Sequence, residues 1–257
     1  MGSFASYAKR LATYSRSQDY RPTPMPVPSS LEESIEELYR VFARYLLPKD
    51  TQPCPCCSSP YADAQLRSQP LRMLGKEELT NYAFSALLTW GDEDTFKHFL
   101  PRLFQLLFED GIEDSSWIDP SILFAKFRHG NWHLWPEEEK EAVIAFLRAV
   151  WSVVLEDPPD LDARDSLDTW LCAIAEAEDE LTPYLDQWIQ CEVNAGATLA
   201  LWPMMTERYG PDAFWKDRPV QRDQVDRWLK SPQVLDKIIR SENLADPTLN
   251  QPANTEP

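Results

Sequence analysis

A chain of 257 residues with 43% hydrophobic content is long enough for one large domain or two small ones around a sizeable core. Its 42 Asp and Glu outnumber 25 Lys and Arg, and the resulting net charge of −17 repels phosphate backbones, which argues against nucleic-acid binding. No apolar run is long enough to span a bilayer, no continuous apolar stretch of a secretory signal opens the chain, and the 5 cysteines are an odd number. Together these predict a reducing, cytoplasmic setting rather than a disulfide framework.

The segment "MGSFASYAKRLATYSRSQDY" is the basic exception, with Lys9, Arg10 and Arg16 against a lone Asp19. Phe4, Tyr7, Leu11 and Tyr14 recur at helical spacing. It reads as a docked first helix, a contact with an acidic surface, an organelle transit segment or, from Met1-Gly2 and Ser6, a myristoylation signal. The alternating prolines of "RPTPMPVPSS" make an extended linker. Ser30 and Glu33 then form a capping box that opens a helix over 31–47, with Leu31, Ile35, Leu38, Phe42 and Tyr45 on one face. The organisation read from this is a basic segment and linker over 1–28, one all-α domain over 29–242, and a polar, disordered tail over 243–257.

Pro48 and Pro53 end the first helix and lead into "PCPCC", which holds Cys54, Cys56 and Cys57. From Lys76, "KEELTNYAFSALLTWG" carries Leu79, Tyr82, Ala83, Ala86 and Trp90 on one stripe, and Gly91 is placed as its C-terminal cap. "DEDTFKHFLPRLFQLLFEDG" follows, and Pro101 inside it either kinks the helix or starts a new one. The helix after Pro136, with Val143, Phe146, Leu147, Val150, Trp151 and Val154, is apolar nearly all round and therefore central. "WLCAIAEAEDELTPYLDQWIQC" repeats the pattern of helix, acidic turn, proline and aromatic helix seen around Trp90. No alternating strand occurs. The expected fold is all-α, built of stacked antiparallel hairpins of the HEAT kind.

The chemistry on offer is narrow. There is no phosphate-binding glycine loop, no G-x-S-x-G elbow and no H-E-x-x-H. The three cysteines of the cluster, with His129 or His133 from "RHGNWH", make a candidate zinc site, since zinc needs four ligands and the cluster supplies at most three. Cys54 and Cys57 alternatively have the C-x-x-C spacing of a redox pair, and the plainest reading is a loop with spare thiols. Cys172 and Cys191 read as core residues. Lys97, His98 and Arg102 form a basic spot that binds an anion or a partner, or else pairs with Asp92, Asp94 or Glu109 nearby. The carboxylate runs, including Glu137 to Glu139, read as solvated helix starts favoured by the helix dipole.

The "CPCC" cluster, then "LTNYAFSALLTWGD", then "FKHFLPRLFQLL" resembles a bacterial family of acidic, all-helical proteins with no established activity, over the stretch from Glu36 to Leu107. The resemblance implies a bacterial cytoplasmic helical protein, and it weakens the transit and myristoyl readings. The function expected is binding of another protein, a basic one, in the manner of an inhibitor or immunity protein and without cofactor. The alternative is a zinc- or thiol-dependent protein centred on the cysteine cluster. A catalytic role would require a deep pocket gathering His98 or His133 with buried carboxylates.

Overall fold

A computed structural model describes residues 31–51, 53–54, 61–108, 117–156, 164–191 and 213–245. The basic N-terminal segment, Ser30, Cys56, Cys57, Glu109 and the residues after Ala245 lie outside the described residues. Those described are helical and contain no strand, as the sequence predicts. No helix among them is long and apolar enough to cross a membrane.

Where the sequence reads one domain over 29–242, the contacts divide the described residues into two compact units. The first takes in the residues up to Val154 and those from Arg164 to Glu178; the second takes the last two residues of the helix ending at Glu156, Leu155 and Glu156, and the residues from Asp179 on. In the first unit, α1 spans Leu31–Phe42, α2 Ala62–Leu66, α3 Lys76–Ser85, α4 Glu93–Leu106, α5 Pro120–His129, α6 Glu137–Glu156 and α7 Arg164–Ala177. Single 3-10 turns at Leu71–Met73 and Trp132–Leu134 link them. The second unit holds α8 over Thr182–Gln190, α9 over Ala213–Lys216, α10 over Pro219–Leu229 and α11 over Pro232–Ala245. The last helix therefore continues past Asn243, into the stretch read as tail.

The strongest pairs in the first unit are not consecutive: α1 lies on α4, and α5 lies on α7. The expected second hairpin is divided between the units, because α7 packs on α5 while α8 packs on α10 and α11. Aromatic rings fill the first unit. Phe104 stacks on Phe127 at 5.1 Å and meets Phe146 edge-on at 5.1 Å, and Phe108 stacks on Trp170 at 5.2 Å. Such pairs add to the area they bury, which sets the position of α6 among its neighbours. That helix is the central one predicted, with Val143, Phe146, Leu147, Val150, Trp151 and Val154 fully buried.

Two helix boundaries differ from expectation: α1 ends at Phe42 rather than at residue 47, and α3 ends early. The helix from Lys76 stops at Ser85, and the chain then turns through Leu87 at φ 63°. Three N–H groups, of Leu88, Thr89 and Trp90, donate to the Ser85 carbonyl and close this turn. Gly91 is left-handed, at φ 73°, but it serves the start of α4 rather than the end of α3. A Cβ there would lie 2.9 Å from Thr95 Cβ, and Thr95 is held by Asp92, whose carboxylate accepts its N–H at 2.9 Å as the N-cap. α4 runs through Pro101 as one helix, so of the two alternatives Pro101 does not start a new helix.

Candidate functional site

Three segments of the first unit converge on Trp135: the end of α1, the start of α4 and the start of α6. The Phe42 ring meets Trp135 edge-on at 5.8 Å, and Lys97 Nζ stands 4.3 Å above the Trp135 ring. Lys97 lies four residues before Pro101 and seven before Phe104, so helical spacing puts it on the buried face of α4. Glu139 likewise lies four residues before Val143 on the buried face of α6. Both side chains are taken out of solvent, Glu139 completely.

A buried carboxylate is tolerated only when charged and polar partners replace its water. Glu139 has several. Oε1 accepts a hydrogen bond from the Tyr45 hydroxyl at 2.5 Å and another from the Arg44 guanidinium. Lys97 Nζ stands 3.0 Å from Oε2, as an ion pair rather than an aligned hydrogen bond. Lys97 also pairs with Glu93 at 2.6 Å, one turn back along α4. Burial pushes the Glu139 carboxyl up, but the Tyr45 hydroxyl, the Lys97 ammonium and the Arg44 guanidinium together outweigh it and hold the group below the ordinary carboxylate range. Burial lowers the Lys97 ammonium in the same way, and Glu93 and Glu139 more than restore it.

The residues read as a basic spot are therefore not one exposed patch. Lys97 is committed to Glu93 and Glu139, where Asp92 and Asp94 had been the nearest expected partners. His98 is half-buried, and its Nδ1 lies 2.8 Å from the Tyr45 carbonyl, which makes Nδ1 the protonated nitrogen. Burial, partly opposed by that carbonyl, keeps the His98 imidazole below its ordinary pKa. Arg102 is buried one turn further on, with Nε donating to the Leu74 carbonyl at 2.7 Å and Nη1 to Gln105 Oε1 at 2.8 Å.

Of the zinc candidates, Cys54 is half-buried, and its backbone N–H donates to the Thr89 carbonyl at 3.0 Å, which fixes the start of the cysteine segment against the turn after α3. Cys56 and Cys57 lie outside the described residues. His129 and His133 are exposed; His133 leans on the Trp132 ring at 4.5 Å, and burial followed by Lys126 and Arg128 depresses His129. Among the described residues no three of His, Cys, Asp or Glu gather as metal ligands. Neither His98 nor His133 pairs with a carboxylate among them. Cys172 is buried as expected, and Cys191 is half-buried at the end of α8.

Sequence reasoning missed Glu139, Tyr45, Arg44 and Trp135. Glu139 was read as part of a solvated acidic run, although its spacing to Val143 and Val150 placed it on the core face. Glu137 and Glu138, its neighbours, are exposed as expected. Set against family models, curated proteins and solved structures, the chain matches none of them.

Proposed function

We propose that this chain is an all-helical module that binds a basic protein, in the manner of an inhibitor or immunity protein, in a bacterial cytoplasm. The observation that carries this reading is how the charges are disposed. The acidic helix starts Asp92, Glu93 and Asp94, and Glu137 and Glu138, are exposed, while Lys97, Arg102 and Lys126 are buried in contacts of their own. With a net charge of −17, the outer surface attracts cationic proteins over distances of about a Debye length and speeds their encounter.

The test is affinity capture with the full chain from a bacterial extract, followed by reconstitution with the purified candidate. The expected result is a stoichiometric complex with a protein of high pI that weakens as salt is raised. A search that yields no stable partner, or a partner bound independently of salt, overturns the reading.

A further inference from the structure

The convergence at Trp135 has a second property that the ion cluster does not explain. Leu46, Leu88 and Leu134 are 81%, 57% and 84% exposed, on three segments that meet there. Leu134 adjoins Trp135. Leu88 follows Leu87, whose Cδ1 would lie 3.3 Å from a Cβ at Gly130, where Trp135 Cζ2 would lie at 3.2 Å. Leu46 follows Tyr45, which bonds Glu139. Exposed leucines on their own are ordinary; what sets these three apart is that the segments carrying them converge on one buried ring, the setting in which exposed apolar groups mark interaction sites.

The charge around these leucines specifies the occupant. Asp92, Glu93 and Asp94 begin four residues after Leu88, and Glu137, Glu138 and Glu139 begin three residues after Leu134. Lys97 ties the two acidic helix starts together through Glu93 and Glu139. Glu139 is itself buried; of the five exposed carboxylates, Glu93, Glu137 and Glu138 pair with Lys97, Lys140 and Arg40, and Asp92 and Asp94 are set against no cation among the described residues, so negative charge remains in excess. An apolar seat with an acidic rim complements a segment with leucines on one face and lysines or arginines on the other.

We infer that this corner is the docking surface, and that it takes a basic amphipathic helix of the partner protein. The inference rests on the protein-binding reading above and adds the place and the chemistry. The partner's apolar face lies on Leu88 and Leu134, and its cations meet the carboxylates at the starts of α4 and α6.

The probe is a synthetic amphipathic helix of leucine and lysine, with a scrambled peptide of the same composition as reference. Binding to the full chain is measured by titration calorimetry at low salt. One variant carries Leu88→Asp and Leu134→Asp; a control carries Val220→Asp and Ile239→Asp, at exposed apolar positions of the second unit. Each variant adds two negative charges, so attraction by charge alone would strengthen in both. The expected result is at least about a tenfold loss of affinity in the first and none in the control, with the scramble weaker than the helix. The milder pair Leu88→Ser and Leu134→Ser should lose affinity in the same direction and guards against misfolding of the aspartates. Equal binding of all variants, or of helix and scramble, overturns the location and leaves the basic-partner reading standing. Failure of the helix to bind the parent chain at low salt overturns the inferred chemistry, while a salt-sensitive natural partner would still uphold the general reading.

Discussion

Glu139 is the residue on which the first unit's charge arrangement depends. Its carboxylate is fully buried, and Arg44, Tyr45 and Lys97 together replace the water it gives up. Replacing Glu139 by leucine leaves Lys97 buried with Glu93 as its remaining carboxylate, and breaking a buried pair in this way typically costs about 3 kcal/mol. Glu139→Leu should lower the urea midpoint accordingly at pH 7, and adding Lys97→Met should restore most of the loss, because neither charge of the buried pair is then left without its partner. A single variant as stable as the parent would show the pair to be uncoupled. The pH dependence follows from the direction of the shift. The folded carboxyl titrates below the unfolded value of 4.5, so its contribution is complete above pH 4.5 and is lost as pH falls through the folded value. Acid sensitivity below pH 4.5 should therefore be smaller in Glu139→Leu than in the parent. This residue was legible in the sequence through its spacing from Val143, but an acidic run at a helix start is usually solvated, and the two rules pointed in opposite directions.

At the scale of elements, the helices end on cations and indoles brought from elsewhere in the chain. Lys126 of α5 donates to the Phe84 carbonyl in the last turn of α3 at 2.7 Å. Arg128 donates to the Glu176 carbonyl at the end of α7, and Trp132 Nε1 to the Ala177 carbonyl at 2.8 Å. In the second unit Lys237 of α11 donates to the Ile189 carbonyl of α8 at 2.5 Å and to that of Cys191. Each cation sits where the helix dipole and the unpaired carbonyls favour it. A chain with only 7 glycines has few of the usual C-terminal caps, and caps supplied across tertiary contacts leave no local trace. For this reason the helix from Lys76 was read as running on to Trp90, while the periodicity of α4 and α6 was read correctly. The capping lysine at 126 carries a measurable signature. Burial pulls its ammonium down to about 8 from 10.5, so between those values the unfolded chain holds more protons, and stability rises with pH. Tyr39, pushed up to about 12, and the buried Tyr82 act in the opposite direction above pH 10. Urea midpoints should rise from pH 8 to pH 10 in the parent and rise less in Lys126→Met, with the remainder owed to Lys237, whose ammonium burial also lowers. Equal slopes in the two proteins would refute this account of Lys126.

At the scale of the whole molecule, the division at Glu178 and Asp179 falls in the middle of a motif read as one hairpin. The acidic turn "EAEDE" looked like the turn between α3 and α4, and local pattern alone does not reveal that the helices on either side bury their apolar faces in different units. The composition of α7 does carry a hint. Leu167, Trp170, Leu171 and Ile174 are buried in it, and Trp170 is already engaged by Phe108 and Phe124. All-helical character was readable from periodicity, but the pairings α1 with α4 and α5 with α7 were not, because they join faces far apart in sequence. The first unit contains its own aromatic core, its own ion cluster and the caps of α3 and α7. Residues 27–178 expressed alone should therefore fold, with a cooperative urea transition and with the helix termini still capped by Lys126, Arg128 and Trp132. The check is circular dichroism through denaturation, alongside exchange protection of the α6 amides. A broad, non-cooperative transition would mean that the core of the first unit needs residues beyond Glu178, and the two units would then be one folding body. A cooperative transition would place the buried Glu139 cluster and the leucine-bearing corner on a unit that stands without the rest of the chain.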